Sequence, residues 1–214
     1  MNPLLETFWA LVAAPAFTLG GSSVTWTEIV AFALAVWMVV CNWRVNPLAW
    51  PLAMLSSALY ALLFVDVRLY GEASLQLVFI AVAAWGWWQW LRGLGADGAP
   101  LRVRHLGARG RLGVAAFVLA AWPLLALFLD RATDSDVPWF DALPTVGSLA
   151  GQWLLGRKYV ENWPVWIGVN VVSVGLFAWK GLWLTVILYA LFVVMAALGW
   201  GAWRRLAAAQ AVQA

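Results

Sequence analysis

Charge is scarce in this sequence. Asp, Glu, Lys and Arg together make up 11% of the 214 residues, whereas soluble domains carry about 25%. Hydrophobic residues account for 64%, and a water-soluble domain of this length has no interior large enough to bury them. The composition therefore excludes an ordinary soluble domain and indicates a membrane protein. Each spanning helix needs about 20 mostly apolar residues, so the chain has room for about seven spans.

Residues that carry catalysis or ion coupling are equally rare. Cys41 is the only cysteine, which excludes an intramolecular disulfide, and the only histidine, His105, lies in a basic loop. The sequence has no GxxxxGK[ST] loop, no metal-ligand cluster and no GxSxG elbow. The apolar runs carry no acidic or basic residue near their middle, which argues against proton coupling. We expect a passive facilitator without cofactor or metal, and not an enzyme or a pump.

Apolar runs between charged or Pro/Gly breaks predict an α-helical membrane protein with seven transmembrane helices. The predicted spans are residues 25–43, 48–65, 73–91, 113–130, 142–157, 163–179 and 182–203. Residues 4–19 are also apolar but short, and we expect them to be interfacial or half-inserted.

The basic residues orient these spans. The net charge of +3 does not indicate a nucleic-acid partner, because the cations lie in short loops between apolar runs. They cluster in alternate loops, at Arg44, at 92–111, at 157–158 and at 204–205. These loops are cytoplasmic by the positive-inside rule. We therefore expect a multi-pass protein of the bacterial inner membrane with its N-terminus outside and its C-terminus inside.

The two ends of the chain resemble each other. An offset of 116 residues aligns Trp37 with Trp153, Asn46 with Asn162, Trp50 with Trp166 and Ser57 with Ser173, and a three-residue deletion then aligns Gly86 with Gly199 and Trp90 with Trp203. Parallel three-helix repeats joined by one linker helix, with a site at their interface, are a transporter architecture. We expect an N-terminal segment (1–22), a first repeat (23–92), a linker region (93–141), a second repeat (142–205) and a cytoplasmic tail (206–214).

Polar and aromatic residues recur at helical spacing inside the predicted spans. The sixth span places Asn162, Trp166, Asn170, Ser173 and Phe177 on one face, and the first repeat places Asn46, Trp50 and Ser57 in the same way. Gln152 lies in a second polar stripe, while Gln76 and Tyr189 fall at equivalent positions of the two repeats. These faces point into the bundle, since lipid cannot satisfy amides. They either join helices by hydrogen bonds or bind a flat cationic ring with an amide and a sugar. Most other tryptophans, Trp203 among them, are expected in an aromatic belt.

The same segments resemble a known family. Glu161-Asn-Trp-Pro-Val-Trp-Ile-Gly-Val-Asn170, Phe177-Ala-Trp-Lys-Gly-Leu-Trp183 and Trp50-Pro-Leu-Ala-Met-Leu-Ser-Ser-Ala-Leu-Tyr60 are similar to the PnuC nicotinamide riboside transporters. The resemblance implies a SWEET-like 3+1+3 bundle, a homotrimer with one substrate path per protomer, and facilitated diffusion driven by intracellular phosphorylation. It also implies that Trp166 and Asn170 contact the substrate, with Gln152, Gln76, Tyr189 and Trp50 around them.

The substrate is less closely defined than the family. Nicotinamide riboside is favoured, and thiamine, also a flat cation, or another vitamin such as riboflavin is the alternative within the family. A non-transporting membrane scaffold is the alternative from another class. Two repeats with inward polar faces count against the scaffold, because a scaffold needs no polar seam at mid-membrane.

Overall fold

The computed structural model describes residues 3–19, 21–66, 70–95, 98–132, 137–179 and 183–212. Within these ranges the chain forms eight α-helices and one two-stranded hairpin. Their order is α1 (Pro3–Val12), β1 (Pro15–Leu19), β2 (Ser22–Thr25), α2 (Trp26–Trp43), α3 (Ala49–Asp66), α4 (Tyr70–Arg92), α5 (Ala108–Ala132), α6 (Pro138–Gly156), α7 (Asn162–Trp179) and α8 (Trp183–Val212). The fold is therefore predominantly α-helical, as predicted.

Each predicted span contains one helix, but the boundaries differ. Helix α5 begins at Ala108, and α8 continues to Val212. The predicted tail (206–214) is therefore helical as far as Val212. A helix does not end where its apolar part ends, and Arg204 and Arg205 favour helix as strongly as leucine does. Within the described residues, three segments are long and apolar enough by themselves to cross a membrane: Trp26–Trp43, Ala108–Ala132 and Thr185–Val212.

The chain divides into two compact units, Met1–Trp87 and Trp88–Ala214. In the first unit, the antiparallel β1–β2 hairpin leads into α2, which packs against α3. Thr25 caps α2: its hydroxyl accepts from the Glu28 amide at 3.2 Å, and the Glu28 carboxylate accepts from the Thr25 amide at 2.7 Å. This capping box fixes the start of α2. The hairpin was not predicted. The segment 4–19, which was expected to be interfacial or half-inserted, consists of the short helix α1 and the strand β1, and β2 follows it.

In the second unit, helices that are neighbours in sequence are neighbours in space: α5 packs on α6, α6 on α7 and α7 on α8. Helices α6 and α7 approach closely at Gly147, where a Cβ atom would lie 2.5 Å from Val169 Cγ2. Gly147 and Gly151 form a GxxxG spacing, which lets two helix backbones come together. Helix α5 is the most exposed, with Ala126 as its one fully buried residue among those the structure describes.

The structure corrects the register of the internal repeat. Helices α3 and α7 begin at Ala49 and Asn162, which are 113 residues apart, and the same offset relates Trp43 to Gly156 and Tyr70 to Trp183 at other helix ends. All three helices of each repeat therefore align at one offset. The expected offset of 116 was wrong for the first two helices, and no deletion is needed. A slip of three residues is nearly one helical turn, so it keeps similar residues on the same face and is hard to detect in sequence.

The connecting turns carry the same register in detail. Val45 and Lys158, also 113 residues apart, both have positive φ, 52° and 56°. The next amide bonds back to the preceding helix in each turn, from Asn46 to the Cys41 carbonyl and from Tyr159 to the Leu154 carbonyl, both at 2.9 Å. The two turns are therefore copies of one structure.

Candidate substrate-binding site

The indole of Trp166 lies against Gly151, at the contact between α7 and α6. A Cβ atom on Gly151 would lie 3.0 Å from Trp166 Cε2 and 3.1 Å from its Nε1. Gln152, the residue after Gly151, therefore belongs to the same part of the unit as Trp166. The sequence did not show that a glycine makes room for this ring, although the GxxxG spacing was a signal for it.

Three polar side chains on α6 and α7 make no hydrogen bond with the residues that the structure describes. Asn170 and Ser173 are buried, one and two turns along from Trp166, and neither side chain makes a hydrogen bond within the described part of the chain. The carbonyl oxygen of Gln152 is enclosed and likewise accepts no hydrogen bond there. Buried polar groups normally have partners, so these three side chains are available to a ligand or to water.

Aromatic rings of helix α8 pack against Phe177, which lies on the same face of α7 as Trp166, Asn170 and Ser173; this face is called the stripe of α7. Tyr189 packs on Phe177 with ring centroids 5.1 Å apart, and Phe192 packs on Tyr189 at 6.0 Å. Offset and edge-to-face arrangements at these distances are favourable for aromatic pairs. Five of the predicted site residues thus lie on three consecutive helices of the second unit: Gln152, Trp166, Asn170, Ser173 and Tyr189.

Of the predicted site residues in the first unit, Trp50 and Asn46 make contacts that stabilise the fold. Trp50 is 2% exposed, and its indole covers Gly86 so closely that a Cβ atom there would lie 2.3 Å from the ring. Asn46 is exposed in the turn, where its side-chain oxygen accepts from the Leu48 amide at 3.0 Å. Gln76 is half-buried on α4. In the corrected register, Trp50 corresponds to Trp163 and not to Trp166.

A tryptophan cluster lies near this site and was not predicted. Trp203 is completely buried and packs on Trp163 and Trp90, with ring centroids 5.6 Å and 6.2 Å apart. The Trp90 indole donates to the Leu155 carbonyl at 3.0 Å. The expectation that Trp203 belongs to an interfacial belt was therefore wrong, because spacing from a span end does not show which way a ring points. Trp26, Trp139, Trp183 and Trp200 are exposed, as the belt requires.

The turn before α7 is held by charged groups. The Glu161 carboxylate accepts from the Leu106 amide at 2.8 Å and from the Arg111 guanidinium at 2.8 Å, and it lies 3.3 Å from His105 Nδ1. Partial burial opposes ionisation of Glu161, but these groups and its own amide outweigh that effect and lower the pKa of its carboxyl. The loop 101–106 is thereby fixed to the start of the helix that carries Trp166.

Lys158 holds the same turn from the other side. Its ammonium donates to the Leu101 carbonyl at 3.1 Å and lies 5.2 Å from the centroid of the Trp90 ring. Burial lowers the pKa of Lys158. Arg157 donates to the Gln89 side chain at 2.9 Å, so both cations of this loop serve the structure of the second unit.

The fold and the buried polar stripe define the class as a helical protein with apolar helices and an internal three-helix repeat. The sequence profile of the family described as nicotinamide mononucleotide transporter matches residues 25–205. The chain belongs to this family of membrane transporters. The predicted family is therefore confirmed, and family membership favours a transporter over an enzyme or a scaffold.

Several relatives have names that specify a substrate. The chain is 26% identical to the nicotinamide riboside transporter PnuC of Escherichia coli (strain K12) over 174 residues, covering 70% of this chain and 73% of that protein. It is 27% identical to the PnuC of Neisseria mucosa over 182 residues, covering 81% and 68%. It is 32% identical to the riboflavin/roseoflavin transporter RibM of Streptomyces davaonensis over 164 residues, covering 75% and 76%.

A solved structure has the same fold. The crystal structure of the vitamin B3 transporter PnuC matches with a TM-score of 0.69 and 24% identity, covering 85% of this chain and 82% of that one. At this identity the match shows the fold alone.

Proposed function

We propose that the protein mediates facilitated diffusion of nicotinamide riboside across the bacterial inner membrane, with intracellular phosphorylation retaining the product. Family membership and two PnuC relatives support the substrate. The site adds a chemical reason: Trp166 offers an aromatic face to a flat cationic ring, and Asn170 offers a buried carboxamide with both a donor and an acceptor.

In this proposal seven helices, α2 to α8, span the membrane as three, one and three, in a SWEET-like arrangement. The N-terminus lies outside and the C-terminus inside, because the basic loops take the cytoplasmic side. The equal offset of all three helix pairs supports two parallel repeats. We also propose the homotrimer that the family resemblance implied.

We place the substrate contacts in the second unit. Trp166 stacks on the pyridinium ring, Asn170 and Gln152 bond the amide or the ribose, and Ser173 and Tyr189 lie further along the stripe. The observation that carries this assignment is a group of polar side chains beside an indole held against Gly151. Asn170 and Ser173 are buried and the Gln152 carbonyl oxygen is enclosed, and none of the three makes a hydrogen bond with the described residues. Trp50, Asn46 and Gln76 keep weaker support, since two of them have structural contacts.

Binding to the purified protein tests the proposal. By calorimetry, nicotinamide riboside should bind, and Trp166→Ala or Asn170→Ala should each weaken binding by about tenfold or more, because a lost stacking or buried amide partner costs up to about 3 kcal/mol and each 1.4 kcal/mol is tenfold. Val171→Ala is a matched control, since its side chain is exposed on the same helix. Unchanged affinity in both site variants would move the site elsewhere.

Riboflavin is the second candidate substrate. The 32% identity to RibM favours it, and its neutral isoalloxazine ring would stack on Trp166 without a cation–π contribution. Titrating both ligands in one series separates the two proposals. Stronger binding of riboflavin than of nicotinamide riboside would replace the substrate while leaving the site in place.

A further inference from the structure

The second unit contains a cleft outside the stripe of α7. It lies between Gly95 and residues 100–105 on one side and the last turns of α8 on the other, with a volume of about 380 Å³, which is within the range of small-ligand sites. Its lining includes Pro100, Arg102, Arg104, His105, Ala207 and Gln210. The proposed transport function does not use any of these residues.

The cleft is electropositive. Two guanidinium groups and one imidazole line it, and none of the lining residues that the structure describes is acidic. Neither Arg102 nor Arg104 makes an ion pair with the residues that the structure describes. The carboxylate next to the cleft, Glu161, lies 3.3 Å from His105 but is also bound by Arg111 and a backbone amide. Both arginines therefore remain available to an anion.

Arg104 is held in place. Its amide donates to the Lys158 carbonyl at 3.1 Å, and its carbonyl accepts from the Val160 amide at 3.0 Å. Its guanidinium lies 5.0 Å from the centroid of the Tyr159 ring and donates to the Tyr159 hydroxyl at 3.2 Å. A guanidinium fixed in this way loses little entropy when it binds an oxyanion.

Two lining residues each have an enclosed polar atom without a hydrogen-bond partner among the described residues, one a donor and one an acceptor. Arg104 Nε, a donor, has no acceptor within the described chain, and Gln210 Oε1, an acceptor, has no donor there. A ligand with anionic oxygens would supply the acceptor, and a hydroxyl of the same ligand would supply the donor. Oxyanions match the geometry of guanidinium groups especially well.

We propose that this cleft binds a phosphate ester that also carries hydroxyl groups. Two sources share this chemistry: a soluble sugar phosphate, and the headgroup of an anionic phospholipid such as phosphatidylglycerol. Basic pockets at the ends of membrane helices bind such headgroups. The two sources are separated by the experiment and not by the geometry of the cleft.

The test uses the full-length protein at about 0.15 M salt, where distant surface charges are screened. In one arm, ribose 5-phosphate and ribose are titrated by calorimetry. In the other arm, native mass spectrometry measures retention of phosphatidylglycerol against phosphatidylcholine after extraction from mixed vesicles. Binding of the phosphate ester in either arm, with ribose or phosphatidylcholine much weaker, supports the proposal and identifies the source.

Variants connect the binding to the cleft. Arg102→Gln should weaken it about tenfold or more, because a charged hydrogen bond is lost, and Arg102 is exposed, so folding should not change. Arg109→Gln is the matched control: it removes one charge from an exposed position outside the cleft. Arg104→Gln, checked by thermal unfolding, is the second variant. No binding in either arm, or equal binding by the Arg102 and Arg109 variants, would overturn the proposal.

Discussion

The contact between Gly151 and Trp166 gives a sharp test of the candidate site. Replacing Gly151 with alanine adds a methyl group 3.0, 3.1 and 3.3 Å from three atoms of the Trp166 indole. Non-bonded carbon atoms prefer about 3.5 to 4.0 Å, so the ring has to retreat by about half an ångström. Trp166 is only half-buried and can do so, which keeps the cost in stability below about 1 kcal/mol.

A shift of this size is near the tolerance of a binding site. We expect Gly151→Ala to weaken nicotinamide riboside binding roughly three- to tenfold, or about 0.7 to 1.4 kcal/mol. The assay is calorimetry on purified protein, with the thermal unfolding midpoint recorded alongside. Gly168→Ala is the matched control, because it adds the same methyl group to the neighbouring helix at a position with no atom within 4 Å.

The two alanine variants gain the same helix propensity, about 1 kcal/mol over glycine, so their difference isolates the contact with Trp166. Affinity that is unchanged by Gly151→Ala, while Trp166→Ala still weakens binding, would show that the position of the ring against α6 is unimportant. Unfolding of the Gly151 variant alone would show that the contact is structural.

Three further predictions concern the framework. Val45→Gly should raise the unfolding midpoint in detergent, because glycine removes the strain of a β-branched residue in the left-handed region; the gain is up to about 1 kcal/mol. Lys158→Gly should show no gain, because it relieves the same backbone strain but loses the ammonium contacts. The pKa of Glu161 is lowered in the folded protein, so its ionised carboxylate stabilises the fold above the ordinary pKa of about 4.3, and this stability is lost as the pH falls below that value. Glu161→Gln should therefore flatten the acid limb of a stability-versus-pH curve. Trp203→Ala should cost about 3 to 5 kcal/mol, while Trp200→Ala, at an exposed position, should cost far less; equal unfolding midpoints would refute the tryptophan cluster.

The positions of the helices could be predicted because the length of an apolar run is a local property of the sequence. Every predicted span contains a helix, from Trp26–Trp43 to Trp183–Val212. The ends were less predictable, since α5 and α8 extend into polar residues. The hairpin formed by β1 and β2 depends on pairing between two short strands. It could not be predicted, because neither strand has a clear alternation of apolar and polar residues.

The candidate site was predictable along a helix but not between helices. The steps between Trp166, Asn170 and Ser173 place them on one face by geometry alone. Which residue Trp166 touches is a tertiary property, and a glycine offers no side chain by which to recognise it. Burial of Trp203 was missed for the same reason, because a tryptophan near a span end faces lipid or core according to its neighbours.

The corrected repeat separates framework from function. At the offset of 113, the buried Trp50 corresponds to the buried Trp163, and Trp90 corresponds to Trp203. The buried tryptophans and the turns with positive φ occur in both copies, and they stabilise the three-helix unit.

Trp166 and Asn170 have no such counterparts, because the same offset pairs them with Ala53 and Ser57. A side chain that the framework needs should recur in both copies, and these two do not. Their difference from the first repeat therefore favours a ligand role over helix packing, and it predicts that Trp50→Phe lowers the unfolding midpoint with little change in nicotinamide riboside affinity. A large loss of affinity with an unchanged midpoint in that variant would show that the first repeat contributes directly to binding.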